Sequence, residues 1–163
     1  MGAGTVPGEA ATRSRIAAEP LVGGWELDFP RYSAAQLFAL ASDIEKYPHF
    51  VPGCVAARIV EKGETRWRVD NVFAVGPMRY RFTSIADVDP DNALDIRSSE
   101  GPWKSFRLSW RFTELAEGCR VGCRFAVEFR SGVLAAVAHF VTQATERRIM
   151  AAFEKRARAL YGR

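Results

Sequence analysis

Few residues in this chain have the types and the spacing that catalysis or metal binding requires. The two histidines, His49 and His139, fall in different predicted elements, and neither has a carboxylate or cysteine at metal-ligand spacing. The sequence shows no nucleophile elbow, phosphate-binding loop or dinucleotide fingerprint. Its carboxylates are scattered over turns and outward strand positions. We therefore predict no metal site, no catalytic residue and no required cofactor.

The three cysteines, Cys54, Cys119 and Cys123, are an odd number, which argues against a disulfide framework and fits a reducing compartment. Cys119 and Cys123 are expected on one face of a strand. Four residues of strand span about 13 Å, which is too far for the two thiols to share a metal ion.

The strongest positive signal is an aromatic strand, in which Phe106, Trp110 and Phe112 alternate with polar residues. Such side chains are core residues by default. A curved sheet covered by one helix does not fill all the volume between them, and ligand sites are concave and mostly apolar. Some of these aromatic side chains are therefore candidates for the wall of a cavity.

Three polar residues, Asn71, Tyr80 and Ser84, fall on strand faces that are otherwise apolar. Two interpretations stay open for them. They are either hydrogen-bonded locally within the sheet, or they address the carbonyl oxygens of a bound ligand.

The first half of the domain is predicted to contain one strand and a helical pair. Residues 1–24 are rich in Ala, Gly, Pro and Arg without an apolar period, so we predict a disordered extension followed by a single domain over residues 25–163. The first strand is expected to begin at Trp25. Ser33 begins a helix with capping-box spacing, and a second short helical turn is expected to stop at Pro48.

The rest of the chain is predicted to be a run of strands and one long helix. Alternating apolar residues predict strands around residues 55–59, 67–75, 80–86, 94–98, 106–112 and 121–129. The period then becomes helical from Gly132 to Leu160. This order predicts an antiparallel α+β domain whose last helix covers one sheet face. No membrane span and no secretory signal are expected.

Positive charge is concentrated at the C-terminus, where the last twenty residues hold the whole formal charge of +4. The residues concerned include Arg147, Arg148, Lys155, Arg156 and Arg158. One interpretation is a solvated helix face with paired charges. The other is a docking surface for an anionic partner, either lipid headgroups or RNA phosphate.

Several motifs, taken in order, resemble a known family. They are Tyr47–Cys54, which reads Y-P-H-F-V-P-G-C, the turn Glu100–Trp103 with the strand Trp110–Phe112, the closing strand Glu128–Ser131 and the helix Ala152–Ala157. Together they are similar to the coenzyme Q-binding family of START-like, polyketide cyclase-like proteins. The resemblance runs from about residue 31 to residue 162.

The resemblance implies a helix-grip fold with a hydrophobic tunnel that binds ubiquinone or a related polyisoprenoid lipid. It implies a role as a quinone carrier or chaperone in quinone biosynthesis and respiratory electron transfer, without catalytic residues. Tyr47, Phe50 and Pro52 are then expected at the tunnel mouth. The expected tunnel wall comprises Tyr80, Phe82, Trp103, Phe106, Trp110, Phe112 and Phe153.

Alternatives follow from the same resemblance. The family also includes ribosome-association toxins, and the basic C-terminal segment suits rRNA as well as a membrane. The wider superfamily contains cyclases and hydratases, for which His49 is the only candidate catalytic residue. The carrier is expected in the cytoplasm, peripheral to a bacterial inner membrane, or at the mitochondrial inner membrane in a eukaryote. DNA is not among the expected partners.

Overall fold

The computed structural model describes residues 21–162. The elements follow in the order β1 (Leu21–Phe29), α1 (Ala34–Ser42), a 3-10 helix (Ile44–His49), β2 (Cys54–Lys62), β3 (Arg66–Val75), β4 (Met78–Asp89), β5 (Ala93–Ser98), β6 (Trp103–Glu114), β7 (Cys119–Phe129) and α2 (Gly132–Tyr161).

All seven strands form one antiparallel sheet in the order β1-β7-β6-β5-β4-β3-β2. From β2 to β7 each strand pairs with the next one along the chain, whereas β1 joins the far edge beside β7. The long helix α2 packs on β1 and β7. The predicted α+β architecture is therefore confirmed. Within the described residues, no helix combines the length and apolar character needed to cross a bilayer.

The start of β1 corrects the sequence prediction. β1 begins at Leu21, four residues before Trp25, and Gly23 and Gly24 pair with β7. The Gly24 N–H also donates to the Glu146 carboxylate of α2 at 3.0 Å. Glycines carry no apolar pattern, so the first four residues of the strand were not apparent in the sequence. Residues 1–20 of the predicted disordered extension lie outside the described part of the chain.

The helical pair confirms the predicted cap and corrects the predicted stop. The Ser33 hydroxyl accepts from the Gln36 N–H at 3.1 Å, and the Gln36 side chain accepts from the Ser33 N–H at 2.9 Å. The 3-10 helix continues through Pro48 to His49 instead of stopping at the proline. Proline fixes φ near about −65°, which is compatible with 3-10 geometry.

A solid aromatic core lies under the C-terminal half of α2. Phe153 is fully buried, and its ring stacks on Trp110 with centroids 5.1 Å apart. Trp25 and Phe29 approach Phe153 to 5.7 Å, and Phe50 approaches it to 6.2 Å. This cluster fixes the position of α2 on the sheet, because its ring pairs have the stacked, tilted and edge-on geometries that aromatic rings favour.

Candidate functional site

An apolar cavity of about 460 Å³ lies beside this core, between β3, β6, β7, the Val51–Gly53 loop and α2. Its described walls are aliphatic at Leu108 and Val127, and Ile149 of α2 contributes a further aliphatic surface. Arg148 is the one charged side chain among the described residues that line it. The volume falls in the range of small-molecule sites, which is about 300–1,000 Å³.

One wall of the cavity is an aromatic cluster centred on Trp103. The Trp103 ring lies 5.3 Å from Phe106, 5.2 Å from Phe129 and 6.1 Å from Phe73. Strand alternation aligns these residues, because Phe73 on β3, Phe106 on β6 and Phe129 on β7 all face the helix side. The wall is rigid and apolar, which suits a flat or branched hydrocarbon ligand.

The cavity ends at Trp110. Phe112 and Phe153, which were expected along the tunnel wall, are packed into the core with Trp110 instead, and the exposed fractions of Trp110, Phe112 and Phe153 are only 0%, 5% and 0%. Among the described residues of α2, Arg148 and Ile149 border the main cavity.

The structure brings four of the predicted site residues to the cavity and leaves six outside its described lining. Pro52, Trp103, Phe106 and Trp110 line the cavity. The six predicted residues outside the described lining are Tyr47, Phe50, Tyr80, Phe82, Phe112 and Phe153.

Tyr47 and Phe50 were expected at the mouth, but both are buried. The Tyr47 hydroxyl donates to the Ala41 carbonyl at 2.6 Å, and burial raises the pKa of this phenol well above its ordinary value. The 3-10 helix turns both rings inward, and the Phe50 ring packs on Phe153. The mouth is formed instead by Val51, Pro52 and Gly53, which follow the helix.

Phe82 and Tyr80 lie on the predicted face of β4 but outside the main cavity. Phe82 is buried behind Trp103, with ring centroids 5.4 Å apart, and borders an adjacent space of about 30 Å³. Tyr80 is half-buried, and it pairs across the sheet with Phe73.

Asn71 and Ser84 are bonded locally. The Asn71 amide donates to the Ser84 hydroxyl at 2.9 Å and to the Val69 carbonyl at 3.1 Å. A buried polar pair that is satisfied in this way stabilises the sheet. The interpretation as local hydrogen bonding therefore accounts for both residues without a ligand.

The sequence prediction missed Phe73, Phe125, Val127 and Phe129 as cavity residues. Their alternation on β3 and β7 shows that they share the helix-side face. It does not show which part of that face is covered by packed side chains and which part borders empty space.

The basic residues of α2 do not form one patch at the cavity. Arg147, Arg148, Lys155 and Arg158 are exposed and Arg156 is half-buried. Only Arg148 lines the cavity. At 1.5 Å per residue, positions 155–158 lie roughly 10–15 Å further along the helix.

None of the candidate chemical groups among the described side chains lines the cavity. His49 is exposed and is absent from the described lining. The side chain of His139 lies outside the described part of the structure. The three cysteines are buried and unpaired, and burial raises the pKa of Cys54 to about 11 and that of Cys123 to about 12. Among the described residues, no cluster of three or more potential ligands could hold a metal ion.

A known protein family matches most of this chain. The profile of the family described as "Polyketide cyclase / dehydrase and lipid transport" matches residues 31–154, which is well over half of the chain.

Two characterised relatives represent two different activities. The ribosome association toxin RatA of Vibrio cholerae is 29% identical over 132 residues, which cover 80% of this chain and 92% of the toxin. The mitochondrial coenzyme Q-binding protein COQ10 homolog B of Xenopus laevis is 25% identical over 158 residues, which cover 90% of this chain and 64% of that protein.

The solved structures establish the fold. The Zhui aromatase/cyclase from Streptomyces sp. R1128 superposes with a TM-score of 0.68 and 19% identity, over 88% of this chain and 99% of the cyclase. The seven-stranded sheet and the long C-terminal helix, together with this likeness, confirm the predicted helix-grip fold.

Proposed function

This chain belongs to the polyketide cyclase/dehydrase and lipid transport family, and we propose that it is a carrier of ubiquinone or a related prenylated lipid. The observation that carries the proposal is the apolar cavity of about 460 Å³. The similarity to a coenzyme Q-binding protein supports the choice of ligand class.

The cavity supplies the interaction that a prenyl chain needs. Each buried CH₂ contributes about 0.8 kcal/mol, so a five-carbon isoprene unit gains roughly 4 kcal/mol. This favourable free energy of burial requires no specific polar contact. The Trp103 and Phe106 rings present flat surfaces on which a quinone ring can stack.

Arg148 supplies the polar element of the proposed site. It is exposed at the cavity while the other described lining side chains are mostly apolar. A guanidinium group donates hydrogen bonds and accepts none. It therefore suits the carbonyl oxygens of a quinone ring held at the mouth, with the prenyl chain directed toward Trp110.

We expect binding without turnover. General acid–base catalysis needs a side chain within hydrogen-bond reach of the bound substrate. Arg148, whose guanidinium donates hydrogen bonds and accepts none, is the one charged group among the described lining residues. The proposed carrier takes quinone from a respiratory membrane, shelters it and delivers it to a membrane enzyme, working in the cytoplasm beside a bacterial inner membrane or in mitochondria.

The test is solvent extraction of the purified protein, followed by detection of a redox-active quinone. We expect the wild-type protein to release quinone. The variant Val127→Trp fills the cavity from β7 and is expected to lose most of the bound quinone while unfolding at a similar urea concentration. The control Val60→Trp changes an exposed residue of β2 and should retain the ligand. Recovery of phospholipid alone, or equal loading of both variants, would contradict the proposal.

Ribosome association is the second candidate, supported by the similarity to RatA over 92% of that toxin. The exposed cationic groups of α2, such as Arg147 and Lys155, suit rRNA phosphates. This function predicts co-sedimentation with the large ribosomal subunit that persists in detergent and weakens with added salt. It also predicts that Val127→Trp leaves co-sedimentation unchanged, because the cavity has no part in it.

A further inference from the structure

The apolar face of β4 continues past the cavity to the tip of the β3–β4 hairpin. Phe82, Tyr80 and Met78 alternate on the helix-side face of β4. Tyr80 pairs with Phe73 of the cavity wall, and Met78 pairs with Val75 at the end of the sheet. Met78 is 55% exposed. An apolar track therefore leads from the cavity wall to a side chain in solvent.

The hairpin tip is part of the cavity mouth. Gly76 lines the cavity and has φ of +58°, and a side chain placed there would meet nothing within 4 Å. The Ala74 N–H donates to the Gly53 carbonyl at 2.8 Å, which joins the hairpin to the loop that carries Pro52. The tip and this loop form one continuous rim.

Positive charge flanks this rim. Arg79 and Arg81 follow Met78 on the opposite face of β4, and both are exposed. Neither forms an ion pair within the part of the chain that the structure describes. Arg148 of α2 lines the same cavity as Gly76 of the hairpin tip. The exposed apolar tip therefore lies beside exposed cationic groups, and the carboxylates of Asp70 and Glu100 line the same surface pocket as Arg81.

We propose that the β3–β4 hairpin tip, Val75–Met78, inserts into an anionic lipid surface, so that the cavity mouth opens onto the membrane. This inference rests on the proposed carrier function. Pro77 and Met78 are the exposed Pro and Met of the tip. Together they offer too small a surface for a stable protein interface, which needs about 800 Å² from each partner. Shallow insertion with flanking arginines is sufficient for reversible binding to a bilayer.

The test is flotation with vesicles made of equal parts phosphatidylcholine and phosphatidylglycerol. Met78→Asp is expected to weaken vesicle binding about tenfold, because it removes the inserted apolar side chain. The double variant Arg79→Gln/Arg81→Gln is expected to weaken binding about 30-fold at low salt and to reduce its salt dependence. The matched controls are Val60→Asp on β2 and Arg111→Gln on β6, both exposed and distant from the mouth, and they should bind within about twofold of wild type.

Three outcomes would overturn the inference: no binding of the wild-type protein to these vesicles, binding of Met78→Asp as tight as wild type, or equal losses in Met78→Asp and Val60→Asp. A parallel measurement separates the inference from the carrier function. Quenching of tryptophan fluorescence by a short-tailed, water-soluble quinone reports occupancy of the cavity, and Met78→Asp is expected to retain it. If the wild-type protein binds no quinone while Met78→Asp still loses vesicle binding, the carrier function fails and the docking surface is supported.

Discussion

Trp110 and Phe106 extend from the same face of β6, but only Phe106 retains exposed surface. Trp110 stacks between Phe112 and Phe153 with no exposed area. We expect Trp110→Ala to lower the free energy of unfolding by about 3–5 kcal/mol, as for other large core truncations. Phe106→Ala should cost less, because the side chain already borders empty space.

The two variants therefore separate core from cavity. Urea unfolding and quinone loading measured on both proteins should show that Phe106→Ala loses proportionally more ligand and Trp110→Ala proportionally more stability. Equal ratios of ligand loss to stability loss in the two proteins would contradict the division of β6 into a cavity part and a core part.

At the level of residues, the sequence indicated which face of a strand each side chain occupies, but not how deeply each side chain is buried. Trp103 and Phe106 were predicted at the cavity and line it, whereas Tyr47 and Phe50 were predicted at the mouth and are buried. Strand alternation determines which face a residue occupies. The inward turn of Tyr47 depends on the local path of the 3-10 helix, which has no comparable period in the sequence.

Helix α1 is stabilised at its first turn by groups from two elements. Ser33 caps the Gln36 N–H, and Glu114 of β6 accepts from the Ala34 N–H at 2.8 Å. We expect Ser33→Ala to lower the free energy of unfolding by about 1 kcal/mol, since it removes one of these acceptors. Ser42→Ala, at the other end of the same helix, should change it by less than about 0.5 kcal/mol. Urea denaturation of both variants tests this, and equal effects would contradict the role of the cap.

At the level of elements, the sequence predicted nearly all of the fold. The capping box identified α1, and the change from a two-residue to a helical period identified α2 from Gly132 onward. The start of β1 was wrong because Gly23 and Gly24 are held by backbone pairing with β7 and by Glu146. The residues that make these contacts lie far apart in the chain, so the contacts leave no local pattern in the sequence.

The buried thiols make the stability of the whole molecule depend on pH. Burial raises the native pKa of Cys54 to about 11 and that of Cys123 to about 12, whereas an exposed thiol has a pKa of 9.0. As pH rises through 9.0, the unfolded chain loses these protons while the native chain keeps them. The free energy of unfolding therefore falls with rising pH, by up to about 1.4 kcal/mol per pH unit for each thiol.

Urea midpoints measured between about pH 7 and about pH 9.5 test this dependence, because tyrosine and lysine side chains, with ordinary pKa values of about 10 and about 10.4, titrate mainly above that range. The double variant Cys54→Ala/Cys123→Ala should show a smaller decline above pH 9.0. An unchanged decline would show that the buried thiols do not control alkaline stability.

For the whole molecule, the sequence predicted a hydrophobic tunnel between the sheet and α2, and the structure has a cavity beside Ile149 and a packed core around Phe153. The helical period of α2 places Ile149 and Phe153 on the same buried face. It does not show that Phe153 meets Trp25, Phe29 and Trp110, which fill the space, while Ile149 faces empty volume. Cavities arise from the sum of side-chain volumes contributed by several elements, so they cannot be located from the pattern of one element.

The position of β1 beside β7 has a consequence for biosynthesis. On the ribosome, β1 is synthesised before the six other described strands, whereas its pairing partner, from Cys119 to Val127, belongs to the last of them. Trp25 consequently remains without its neighbours Trp110 and Phe153 until the segments that carry them have been synthesised. Closing so long a loop is slow. β1 therefore cannot pair until β7 is available, and it is the segment that depends most on protection from aggregation in the nascent chain.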